Sequence, residues 1–255
     1  MIVREHADKF VLIEQDNHAQ VSGDIMTKWK ESLFKGPAFK KSVNYAIYNH
    51  DLGWKPFDLQ PFWNDEKQAP YTFVDFPSLP KIVLYKNGID EVEKKDAYAA
   101  LLCSEHYKRF LLNNTSDEAQ SFVKEEEQRQ ERIFQSLNAD KQQFKFHYSL
   151  VQLGDNLSLY ICLNEPGVSK AKEHPFFKDG IPLSSDLNGF NHNTLKLRWT
   201  SENIVSISEF PFENSVEVKL KQKVLEKHAI TAHGLIKCYE ETPYEEISIS
   251  VEPEV

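Results

Sequence analysis

Apolar positions along this chain recur with a helical period through its first two thirds and with a period of two thereafter. The first stretch departs from this, because Ile2-Val3 and Phe10-Val11-Leu12-Ile13 flank Ala7-Asp8-Lys9 and predict a short N-terminal hairpin. His18, Val21, Ser22, Ile25, Met26 and Trp29 then share one face, which predicts a helix over roughly 17–32, capped by Asp16 or Asn17. Gly36-Pro37 breaks it, and Val43, Ala46 and Ile47 carry a second helix toward Leu52. Further helical patterns place Tyr98, Leu101, Leu102 and His106 on one helix and span 117–137 and 141–163 on two more. The run Glu125-Glu126-Glu127 reads as a solvated face.

Between these helices, residues 54–80 are dense in aromatics and prolines and read as a long loop packed by its own Phe and Trp side chains, with Trp54 at the rim of any site nearby. Residues 164–193 form a connector containing Pro, Gly and Asn. After it, Leu195/Leu197/Trp199, Val216/Val218/Leu220 and Ile247/Ile249/Val251 alternate with polar residues, as half-buried antiparallel strands do. The expected fold class is α+β. A mainly helical body fills 1–163, and an antiparallel β-rich region fills 164–255, packed on the body as one unit and joined by the N-terminal hairpin.

The helical stripes are violated four times by polar groups. His18 opens the buried-looking face of its helix, and His50 closes the stripe of the next, with Asp51 beside it. His106 follows Leu102 and Cys103 at the four- and three-residue steps. Asp155 interrupts the row Phe144, Tyr148, Val151, Leu159 and Cys162. An unpaired buried polar group costs roughly 2–7 kcal/mol and a charge costs more, so each of these needs a partner. Imidazole and carboxylate together suit a divalent transition metal such as Mn, Fe, Ni or Zn, as one ion or two, better than a dedicated Ca or Mg cage. The other histidines, His6, His147, His174, His192, His228 and His233, have no ligand spacing and read as structural or surface residues.

Composition narrows the field further. With 40% apolar residues and seventeen Phe in 255, the chain has ample material for a core. A net charge of −9 without a basic tract disfavours long nucleic acid as a partner, since that needs many phosphate-neutralising cations. No apolar run approaches the ~20 residues of a membrane span. Cys103, Cys162 and Cys238 are isolated and fit reduced thiols, so a cytoplasmic location is expected. There is no Gly-rich phosphate loop, Gly-x-Ser-x-Gly elbow or dinucleotide fingerprint.

The ordered set His18, His50-Asp51-Leu52-Gly53 and Asp155-Asn156-Leu157-Ser158 resembles the HD superfamily of metal-dependent phosphohydrolases over roughly residues 17–163, in a divergent bacterial branch of unknown function. The resemblance implies a helical core in which His18, His50, Asp51 and Asp155 hold the metal, with His106 available for a second ion. It also implies a small phosphorylated substrate, with a nucleotide as the candidate. Many relatives carry a lysine directly after the glycine; here Trp54 stands there and Lys55 follows. Lys55, Lys30 and Arg109 are the candidate phosphate contacts. Asp51, Asp58 and Glu105 are candidate acid or base groups, and Trp54 is a candidate substrate contact. The competing expectations are a di-iron oxygenase of HD type and a non-catalytic metal- or ligand-binding protein, with oligomeric state left open.

Overall fold

The computed structural model describes residues 1–254. The chain opens with a hairpin of β1 (Ile2–Glu5) and β2 (Lys9–Ile13), followed by α1 (Gln15–Met26) and α2 (Lys40–Asn49). The aromatic segment holds the one-turn helix α3 (Lys55–Asp58) and the two-residue strands β3 (Trp63–Asn64) and β4 (Ala69–Pro70). The helical body is completed by α4 (Ser78–Glu93), α5 (Ala97–Leu111), α6 (Asp117–Leu137) and α7 (Lys141–Leu163). The connector contributes β5 (Ile181–Pro182) and β6 (Thr194–Leu195). Next come β7 (Leu197–Ser201), β8 (Ile204–Ile207), β9 (Val216–Glu226), α8 (Lys227–His233), α9 (Leu235–Glu241) and β10 (Glu245–Pro253).

The fold is α+β, as the two periods predict. Six strands make one sheet in the order β1-β2-β9-β10-β8-β7, so the N-terminal hairpin is an integral edge of the C-terminal sheet. Neighbours run antiparallel except β8 and β10, which pair in parallel, Val205 opposite Val251, and make the sheet mixed. A continuous apolar core runs from Ile2 through the helices to Val251. A smaller cluster of Phe10, Leu12, Leu225, Ile230, Leu235 and Tyr239 lies under α8 and α9. Among the described residues no helix is long and apolar enough to cross a membrane.

Helices α6 and α7 start where their caps dictate. Ser116 Oγ accepts from Ala119 N and Asp140 Oδ1 accepts from Gln143 N, each satisfying an orphan amide of the first turn. By contrast, α1 is shorter than the expected 17–32. Lys30 N donates to Pro211 O and Glu213 N to Lys28 O, so a tertiary bridge takes the backbone groups that another helical turn would use. Asp16 and Asn17 do not cap α1 either. Its first amide, Gln15 N, donates to Asp58 Oδ2 at 2.5 Å, a cap delivered from α3. The acidic run on α6 is not wholly solvated, because Glu126 is buried and pairs with Arg129 at 3.0 Å.

Candidate metal centre

Four helices, with the turn that follows one of them, bring the polar violations together. His18 comes from the buried face of α1, whose Val21 and Ile25 continue the same stripe. His50 ends α2, and the 3-10 turn Leu52–Trp54 carries the chain away just after Asp51. Asp155 and Ser158, one turn apart on α7, face α1. His106 comes from α5.

His18 Nε2 lies 3.2 Å from His50 Nε2 and 3.0 Å from Asp155 Oδ1. Asp155 Oδ1 is 3.5 Å from His50 Nε2, and Asp51 Oδ2 is 3.7 and 3.8 Å from the two imidazole nitrogens. His50 Nδ1 donates to Ile47 O at 2.7 Å, which leaves Nε2 a lone pair in the neutral ring. Ser158 Oγ sits 2.8 Å from His18 Nδ1 and 3.0 Å from Gly154 O. When the hydroxyl proton goes to that carbonyl, Oγ accepts from His18 Nδ1, and His18 Nε2 is likewise a lone pair. In that tautomer four acceptors converge, and apart from the Gln15 amide on Asp51 Oδ2 nothing donates into the group, a set that a shared proton or a cation satisfies. An ion with bonds of about 2.1 Å has neighbouring ligands about 3.0–3.4 Å apart, which His18, His50 and Asp155 meet to within about 0.1 Å while Asp51 Oδ2 stands slightly wider at 3.7–3.8 Å. His18, His50 and Asp51 form a buried group able to hold a metal ion, with one ligand atom from each within 4.8 Å of the others.

The electrostatics follow from burial and charge. Burial alone would lower the pKa of His50, but Asp51 and Asp155 bring it up to about 9. Burial lowers His106 to about 4, only partly opposed by Asp155. Against its own desolvation, hydrogen bonds to His18 and His50 hold the Asp155 carboxyl well below the usual carboxylate range. Gln15 Nε2 donates to Asp51 Oδ2 at 3.0 Å and orients it. His106 Nε2 stands farther off, 4.0 Å from Asp51 Oδ1.

Asp51, His106 and Asp155 open onto a cleft of about 440 Å³ whose lining includes Gln15, Trp54, Lys81, Tyr85, Arg109 and Tyr148. Of the expected contacts, Arg109 is there, its guanidinium 4.7 Å over the Tyr148 ring. Trp54 is a buried wall rather than a rim. Lys55 is not at the site: the helix ends at Asn49, the 3-10 turn reorients the chain, and Lys55 pairs on the surface with Asp16 at 3.0 Å. Lys30 donates to Phe210 O at 2.9 Å, outside the cleft lining. Glu105 is tied to Lys108 at 2.9 Å and Arg109 at 2.8 Å, which hold its pKa down against burial, and it lies outside the cleft lining. Asp58 is engaged by Gln15 N and the amino group of Met1, a structural role rather than acid–base work. His147 is satisfied by Tyr98 Oη and Lys35 O, each at 2.7 Å.

Sequence reasoning missed Gln15, Ser158 and Lys81. Ser158 was within reach, because it lies three residues after Asp155 and so on the same face of the helix. Gln15 and Lys81 break no apolar stripe and left no signal.

Fold and site together define an α+β protein with a buried His/His/Asp group able to hold a metal ion. Residues 1–227 match the family described as Protein of unknown function (DUF3891), and the chain belongs to that family. No curated protein and no solved structure matches it.

Proposed function

We propose that the chain is a metal-dependent hydrolase of a small phosphorylated compound, built on an HD-like plan with His18, His50, Asp51 and Asp155 as ligands. The observation that carries this reading is the convergence of two imidazole nitrogens and a carboxylate oxygen within 3.0–3.5 Å, with Asp51 at 3.7–3.8 Å, at one end of an open cleft. A divalent ion held there supplies a Lewis acid that acidifies water from a pKa of ~15.7 toward ~7 and polarises a phosphoryl oxygen. The chain's own groups set the rest. Gln15 and Ser158 fix the orientations of Asp51 and His18, as hydrogen-bonded supports of ligands do. Lys81 and Arg109 in the cleft lining offset negative charge on the phosphoryl group. Asp51 Oδ1, which Gln15 leaves unengaged and which stands 4.0 Å from His106 Nε2, would be the oxygen to take a proton from water at the site.

His106 favours a second reading. Its ring is 5.0 Å from that of His50, and it is neutral above about pH 4, so it offers a lone pair for a second ion. Two irons per chain with an oxygen-dependent spectrum would move the chemistry to di-iron oxygenation.

The test is metal analysis of protein purified without chelators, followed by hydrolysis assays on phosphomonoesters with Mn, Fe, Ni and Zn. At least one ion per chain is expected, lost in His50→Ala and Asp155→Ala, together with metal-dependent phosphate release. Native protein that carries no divalent ion and binds none on titration would defeat the reading.

A further inference from the structure

The outer part of the cleft is apolar in a way that phosphoryl chemistry does not require. Val74, Phe110 and Phe176 line it while remaining 59%, 56% and 58% exposed. A single exposed apolar side chain is ordinary on a folded surface, whereas a cluster at one concave site marks a place where something binds. The three come from separate segments: the loop before α4, the last turn of α5, and the turn Pro175–Phe177 in the connector. The Phe110 ring stands edge-on to His106 with centroids 4.8 Å apart. Apolar surface therefore begins next to the ligand cluster and runs outward from it.

Positive charge in the cleft is scarce. Among the described residues its lining holds two cations, Lys81 and Arg109, against Asp51 and Asp155. Arg109 is engaged by Glu105 at 2.8 Å, and Lys81 Nζ donates to Val74 O at 2.9 Å. Such a site can meet one phosphoryl group but not a string of them. Its volume of about 440 Å³ is toward the lower end of the ~300–1,000 Å³ of small-molecule sites, room for one ring system and not for a polymer.

We infer that the ligand is an amphipathic phosphomonoester, with its single phosphoryl group at the metal end and an uncharged aromatic body lying across Phe110 and Phe176. The inference rests on the hydrolase reading for the direction in which the ligand lies. Calorimetry on the full chain loaded with Mn tests it, using phenylphosphonate, methylphosphonate and 4-carboxyphenylphosphonate as non-hydrolysable probes. Phenylphosphonate should bind at least tenfold more tightly than methylphosphonate, and the added carboxylate should cost about tenfold. The double variant Phe110→Ala/Phe176→Ala, at two positions more than half exposed, should bring the phenyl-to-methyl ratio close to one. Equal affinity for the first two probes, tighter binding of the carboxylated probe, or a ratio that survives in the double variant would each overturn the inference. Phenyl phosphate turnover is read separately. If the probe ranking holds and no metal gives turnover, the hydrolase reading falls and the assignment of an amphipathic phosphoryl ligand stands.

Discussion

His50 governs how the site loads. With Asp51 and Asp155 beside it, the ring titrates near 9 in the metal-free chain and is charged at pH 7. A divalent ion needs the Nε2 lone pair, so its binding must expel that proton. Metal affinity should therefore climb as pH rises toward about 9 and level off above it. Calorimetry at pH 7 in buffers of differing ionisation enthalpy should find about one proton released per ion bound, and fewer for His50→Gln; zero release by the unmodified chain would sink the assignment. The same shift has a sign for stability. A folded-state pKa raised above the ordinary 6.5 stabilises the metal-free chain fully below pH 6.5, and that contribution is lost as pH rises through about 9. His106 acts in the opposite sense: held down to about 4, it withdraws stability as pH falls from 6.5 toward 4. Much of this was legible in the chain, because histidines and an aspartate on apolar stripes need partners wherever the fold places them. Lys55 was misplaced for a physical reason: the helix stops before Asp51, and rotation counted along a continuing helix no longer applies.

At the scale of elements, the doublet is held by backbone packed on backbone. A Cβ on Gly88 of α4 would fall 2.7 Å from Gly53 N, and one on Gly53 would fall 2.3 Å from Leu84 O. Backbone atoms cannot swing aside as side-chain tips can, so α4 seats against the turn only because both positions are glycine. Gly88→Ala should destabilise the chain by about 1–3 kcal/mol, as overpacking does. It should also weaken metal binding although Gly88 touches no ligand, because the turn that carries Asp51 must shift. Gly234→Ala is the control: its φ of +84° makes alanine strained, yet nothing lies within 4 Å of its Cβ, so stability should fall with metal affinity intact. Thermal melts with metal titrations check both, and wild-type affinity in Gly88→Ala would show that the contact does not position the doublet. The spans 117–137 and 141–163 match α6 and α7 because both helices are long and periodic, and the structure adds the caps Ser116 and Asp140 at their starts. The sequence reading overran α1 because the bridge from Lys28 and Lys30 to residues 211–213 is a long-range event with no local signature.

For the whole molecule, the strand alternation was readable and the order of strands was not. Period two tells which face of a strand is buried but not which strand lies beside it. That β10 should insert between β9 and β8, antiparallel to one and parallel to the other, depends on the assembled core. The insertion gives the last strand weight out of proportion to its length. The family match stops at residue 227, before β10, yet Ile247, Ile249 and Val251 stand opposite Leu220, Val218 and Val216, all three of them buried. Val251 is also the neighbour of buried Val205 on β8. Deleting residues 242–255 would strip the partner from two strands at once and leave β7 and β8 detached from the rest of the sheet. Because one apolar core runs from that sheet into α1, α2, α5 and α7, the loss should not stay local. The shortened chain should lose its cooperative thermal transition, bind a hydrophobic dye at neutral pH, and fail to retain metal that the full chain holds. A cooperative melt with undiminished metal affinity would mean instead that the helical body, ligands included, stands without the sheet.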